Sequence, residues 1–227
     1  MEQVAIAAGA FVGTHFLLSH PLRGALVRAT GERGFTVVYS LVAFATLFWL
    51  VRAYQAAPET APLWAVDDGL WALATAIMLV ASVLFVGSLL GNPALPTGGA
   101  PMRVPDQARG VFAVTRHPMM WSFALWSLAH AFVYPIAANL ILVGAIALLA
   151  LVGAALQDRK KARLQPGWRE WMTRTSYLPF AAIAVGRARL GGFRPHDLAG
   201  GVVLWLAATW AHLPLAGWAA GVWRWVV

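Results

Sequence analysis

The sequence predicts an all-α protein, a polytopic transmembrane helix bundle of about six spans, and three observations predict it. The chain is 60% hydrophobic and only 11% charged, with a mean hydropathy of +0.67, whereas a soluble domain carries about 25% charged residues. Its apolar residues gather into stretches of about 20, the length that crosses a ~30 Å hydrocarbon core as a helix. Its cations lie between those stretches, so the +8 net charge reads as membrane topology and not as a nucleic-acid footprint. The absence of cysteine from all 227 residues removes disulfides, thiolate metal ligands and a cysteine nucleophile.

The spans are expected at 3–20, 35–56, 69–90, 118–135, 136–156 and 198–219, in a single domain covering 1–227. The first has neither a basic flank nor a small-residue cleavage site and reads as a retained helix. The fourth and fifth read as one helical hairpin interrupted only at Tyr134-Pro135. A Gly/Pro loop fills 91–115, and a basic segment runs over 157–197 with room for an interfacial helix near 177–190. Small-residue pairs at Gly9/Gly13, Gly87/Gly91 and Gly217/Gly221 have the spacing that lets helices approach closely. Fifteen of the seventeen Lys and Arg residues, Arg103 among them, fall in the first, third and fifth loops. Six alternating spans put those loops on one side, which the positive-inside rule makes cytoplasmic, so both termini are expected in the periplasm.

The chemistry concentrates in TRHPMMWSFALWSLAH, residues 115–130. Pro118 suits the first turn of a helix, where its missing N–H costs nothing. Arg116 and His117 then sit at the cytoplasmic mouth, and His130 lies ~20 Å deeper at 1.5 Å per residue. Ionisable groups at such depth mark functional sites. Three histidines fall within spans: His15, His130 and His212. Neutral imidazole is a common metal ligand, and two histidines on different helices can hold a haem; hydrogen bonding between helices is the structural alternative. Depth places His130 and His212 level, ~20 Å from the cytoplasmic face, and His15 only ~8 Å from it. Geometry therefore pairs His130 with His212 and groups His15 with His20 and His117.

The second concentration is QDRKKARLQPGWREWMTRTSYLPF, residues 157–180. Its mixture of cations with Trp168, Trp171 and Tyr177 fits an amphipathic helix lying against anionic headgroups. It equally fits a segment folded back over the fourth span, walling a cytoplasmic-facing pocket with Arg116 and His117.

RVPDQARGVFAVTRHPMMWSFALWSLAH followed by DRKKARLQPGWREWMTRTSYLPF resembles the NnrU family of bacterial integral membrane proteins, and THFLLSHPLRGALVRATGERGFTVVYSLVAF looks like that family's N-terminal region. The resemblance implies a bacterial inner-membrane protein linked to denitrification and nitric oxide metabolism. The 15-cis-zeta-carotene isomerase of plants and cyanobacteria, a b-type haem protein with axial histidines, has an NnrU-like domain. Similarity to it points to His15, ahead of Arg23 and Gly31-Glu32-Arg33, and to His130, which closes Ser127-Leu128-Ala129-His130; Ser127 stands where the isomerase has cysteine. Haem b held by His15 and His130, with a redox role or isomerisation of a lipophilic polyene, is what that similarity implies.

Isoprenylcysteine carboxyl methyltransferases are similar more distantly. Arg116-His117-Pro118 matches their Arg-His-Pro-x-Tyr motif, Trp121 does not match its tyrosine, and Asp158 stands where they have glutamate. This likeness implies S-adenosylmethionine held by Arg116, His117 and the 157–178 segment. A non-enzymatic membrane assembly subunit is a further expectation. Membrane lipids and a lipophilic small molecule are the expected partners, and nucleic acid is not.

Overall fold

The computed structural model describes residues 1–95 and 104–227. Arg103, counted above among the third-loop cations, lies outside the described residues, as does part of the Gly/Pro loop. The regular elements are all helical: α1 (Glu2–Ser19), α2 (Arg23–Gln55), α3 (Asp68–Gly87), α4 (Val111–Val114), α5 (Pro118–Val133), α6 (Ala137–Leu164), α7 (Trp168–Arg174), α8 (Ala181–Ala184), α9 (Pro195–Trp210), α10 (His212–Ala216) and a 3-10 turn over Gly221–Trp225. Among the described residues, four stretches are long and apolar enough to cross a membrane: α2, α3, α6 and Pro195–Ala216. The expected first and fourth spans are shorter or more polar. The 18 residues of α1 include Glu2, Gln3, Thr14 and His15, and α5 is limited to 16 residues by Pro118 at its start and Pro135 beyond its end.

The chain divides into two compact units, Met1–Ala65 with Tyr134–Leu149, and Val66–Val133 with Ala150–Val227. The division falls between α5 and α6, so the anticipated hairpin is shared between units, and α6 contributes its first part to one and its second to the other.

In the first unit, α1 buries Val4, Ala7, Ala8, Phe11 and Val12, an i, i+3, i+4 stripe, against Leu50 and Ala145. Helix α2 starts at Arg23, twelve residues before the apolar run, so the expected loop is largely helical. It breaks only at Gly31 (φ 72°, ψ 172°), where glycine alone enters the left-handed region without strain. Arg23 spans the break by donating to both carboxylate oxygens of Glu32, at 2.8 and 3.0 Å.

In the second unit, α3 packs against both α5 and α9. The Asp67 carboxylate caps α3 by accepting from the Leu70 N–H at 2.8 Å. Pro195 opens α9, and buried Asp197 accepts from the backbone N–H and the Nε–H of Arg194, both at 3.1 Å. Arg194 Nη2 donates to the Gly87 carbonyl at 2.9 Å, fastening the start of α9 to the end of α3. The helices can touch because Gly201 lies on Val83; a Cβ there would stand 2.7 Å from the Val83 Cα. Beyond Pro214 the chain turns at Gly217 (φ 76°) and folds back. Trp223 Nε1 donates to the Leu206 carbonyl at 3.1 Å, and Arg224 pairs with Asp68 at 3.1 Å.

Candidate functional site

Two constellations in the second unit carry chemistry. The first is a histidine pair. His130 sits near the end of α5, and His212 opens α10 just after α9 stops. Their ring centroids are 6.2 Å apart with planes inclined by 32°. Each ring is oriented the same way: the Nδ1 of His130 lies 2.8 Å from the Trp126 carbonyl, and the Nδ1 of His212 lies 2.8 Å from the Ala208 carbonyl. A carbonyl only accepts, so each Nδ1 carries a proton, and in the neutral form of either ring the lone pair is on Nε2. Fixing the tautomer through the other ring nitrogen is how proteins prepare a histidine to ligate a metal. Trp126 stacks on His130 with centroids 4.1 Å apart, which restrains the ring further.

His15 belongs to the first unit. Its Nδ1 donates to the Phe11 carbonyl at 2.6 Å, so it has the same tautomer, and it packs edge-on against Tyr39 at 5.5 Å. The structure brings His130 and His212 together, the neighbours that their equal depth implied, while His15 is placed among Phe11 and Tyr39. Among the described residues no group of three or more His, Cys, Asp and Glu side chains is arranged to hold a metal ion. The pair itself contributes two imidazoles.

The second constellation is a buried polar cluster around Asp158, on the charged end of α6. Asp158 Oδ2 accepts from Arg116 Nε at 2.8 Å and Nη2 at 2.7 Å. Its Oδ1 accepts from His117 Nε2 at 2.9 Å and from Trp168 Nε1 at 3.2 Å. Pro118 does open α5, which sets Arg116 and His117 on the non-helical residues just before the first turn. Those residues are stitched to the chain after α7: Arg116 N–H donates to Ser176 O at 2.9 Å, Thr115 Oγ1 to Tyr177 O at 2.8 Å, and Phe180 N–H to Val114 O at 2.8 Å. Burial pushes the Tyr177 phenol above its ordinary value, with the Asp158 charge adding to the rise and Arg116 opposing it. The phenol is therefore a neutral donor at neutral pH, and it bonds the Leu151 carbonyl at 2.7 Å.

The cluster brings Arg116 and His117 together with the 157–178 segment. It also corrects one expectation. Trp168 and Trp171 are fully buried, so they are core residues and not headgroup anchors. Their mixture with cations looked interfacial in sequence, but the Trp168 indole N–H finds its partner inside, on Asp158. Two polar atoms here stay unmatched: His117 Nδ1 and Trp171 Nε1, both inaccessible to solvent, have no hydrogen-bond partner among the described residues. Sequence reasoning missed a flanking ladder on α6, in which Gln157 donates to Ala94 O at 3.0 Å and Lys161 to Pro93 O at 3.0 Å. Their i, i+4 spacing was the available signal.

The family model described as NnrU protein matches residues 4–220. The chain belongs to the NnrU family. No curated protein and no solved structure matches it. NnrU membership and the apolar helices together make this a membrane protein of that family.

Proposed function

We propose that this NnrU protein holds haem b within its helices and serves a redox role in the inner membrane of a bacterium, linked to nitrogen-oxide metabolism or to isomerisation of a lipophilic polyene. The observation that carries the reading is the His130–His212 pair, with both Nδ1 protons committed to carbonyls and both lone pairs on Nε2. A bare metal ion needs three or four protein donors, whereas a haem supplies its own in-plane nitrogens and needs two axial ligands. Two pre-oriented imidazoles on different helices fit that requirement. When bound, the haem would supply one-electron chemistry, with its potential set by the axial ligands. The chain's own residues orient the imidazoles through Trp126 and Ala208, stack Trp126 on His130, and restrict water by placing both rings within apolar helices. His15, with the same tautomer, is the alternative ligand. In this reading the basic loops face the cytoplasm and both termini the periplasm.

The test is an absorption spectrum of detergent-purified protein, oxidised and then dithionite-reduced, with a pyridine haemochrome assay. A stoichiometric b-type signal is expected, lost in His130→Ala and in His212→Ala and kept in His15→Ala. Loss in His15→Ala with retention in His212→Ala would move the second ligand to His15. A colourless protein after expression with ample haem would overturn the reading. The unmatched His117 Nδ1 supports a second reading, a methyltransferase-like site for S-adenosylmethionine at Arg116 and His117, which calorimetry on the colourless protein would then examine.

A further inference from the structure

With Trp168 and Trp171 buried, the corner that follows α7 still turns large apolar side chains outward at this end of the second unit. Leu178, Phe180, Val185 and Leu190 are 57%, 50%, 65% and 59% exposed. Between Glu170 and Asp197 the sequence has no acidic residue and four arginines, Arg174, Arg187, Arg189 and Arg194. Arg174 pairs with Glu170 and Arg194 with Asp197. Arg187 instead donates to the Thr173 carbonyl at 3.0 Å, and Arg189 is exposed. The corner therefore combines four outward apolar side chains with two cations whose charge is not consumed by those carboxylates.

The backbone holds this arrangement firmly. Phe180 has φ 63°, the only non-glycine residue in the left-handed region among the described residues. A bulky residue there is an outlier that persists only when its surroundings impose it. Two backbone ties impose it: Phe180 N–H bonds Val114 O at 2.8 Å, and Gly110 N–H bonds Gly191 O at 2.8 Å. Both ends of the corner are thus tied to the residues leading into α5, at the end of the unit where α3 stops and α9 begins.

We propose that the corner over 178–190 is a lipid-binding surface that seats Leu178, Phe180, Val185 and Leu190 at the acyl boundary and sets Arg187 and Arg189 against the phosphates of anionic phospholipids. Apolar residues beside cations at the mouth of apolar helices match that boundary, where hydrocarbon contact and headgroup attraction act together. A water-facing corner would gain nothing from holding an aromatic ring outward in a strained conformation.

The cysteine-free chain allows single nitroxide labels, placed in Phe180→Cys, Val185→Cys and, as a reference, Arg169→Cys. Each is reconstituted in nanodiscs of phosphatidylcholine and phosphatidylglycerol. Labels at 180 and 185 are expected to collide more with oxygen than with the nickel chelate Ni-EDDA, and the label at 169 the reverse. Spin-labelled phosphatidylglycerol should be retained at the protein boundary over phosphatidylcholine. That preference should drop about two-fold or more when Arg187→Gln and Arg189→Gln are combined, as expected for cations near the headgroups. Labels at both 180 and 185 as open to the chelate as that at 169 would overturn the proposal. So would a lipid preference unchanged by the double substitution.

Discussion

At the scale of single residues, Asp158 decides how the polar cluster is read. Its two oxygens accept four donors from three side chains. Removing one partner of a buried ion pair costs far more than the pair contributes, because it leaves a charge with no counter-charge. Asp158→Asn should therefore destabilise the protein by about 3–5 kcal/mol, with Arg116 left buried and an amide N–H₂ pointed at donors. Trp168→Phe, which removes one of the four donors, should cost about 1 kcal/mol. Thermal unfolding of the detergent-purified variants, followed by size exclusion, separates the two, and an Asp158→Asn protein as stable as the parent would refute the ion-pair account. Arg116 and His117 were legible in the sequence because Pro118 marks a helix start beside them. Their acceptor was not derivable from spacing, since Asp158 lies 42 residues from Arg116 and only the fold brings them together.

At the scale of elements, the α3–α9 crossing rests on glycine. A methyl added at Gly201 would meet Val83 backbone atoms at 2.7 and 3.0 Å, and backbone cannot swing aside as a side chain can. Gly201→Ala is expected to destabilise by about 1–3 kcal/mol through overpacking. Gly9→Ala meets nothing within 4 Å and should be neutral or slightly stabilising through helix propensity. Melting temperatures of the two variants check the contrast, and equal shifts would show that the helices do not cross this closely. Of the i, i+4 glycine pairs in the sequence, Gly9/Gly13 lie in open space, while Gly87 and Gly221 do sit at close contacts with Val111 and Thr209; Gly200-Gly201 was missed, because spacing records which residues are small and not which face meets a neighbour. Apolar length was a better guide: α3 and α6 start within one residue of the expected positions. It failed at the ends, since the 157–164 extension of α6 is polar and continues as helix on ladder contacts that hydropathy does not register.

At the scale of the molecule, the second unit is electrically polar along its helices. One end gathers Arg109, Arg116, Arg187, Arg189 and Arg194 around the end of α3 and the starts of α5 and α9. The other holds the exposed Asp67 and Asp68 at the start of α3, beside the returning C-terminal segment, where Trp218 packs edge-on against Trp71 at 6.4 Å and Arg224 sits 4.8 Å over the Trp71 ring. That single cation at the second end is offset by Asp68 at 3.1 Å. The excess of Arg therefore lies at one end only, as the loop counts implied, with four stretches among the described residues meeting the length and hydropathy of a span. The asymmetry does not depend on the span count, because α3 runs toward the Arg-rich end while α5 and α9 both start there. Moving several uncompensated arginines across a bilayer is costly at each step, so the Arg-rich end should stay in the cytoplasm. Single cysteines at Leu215 and Arg169, both exposed and at opposite ends, test this in intact cells with a membrane-impermeant maleimide. Leu215→Cys should label before lysis and Arg169→Cys only after it. The reverse pattern would invert the unit and place the His130–His212 pair nearer the cytoplasmic face.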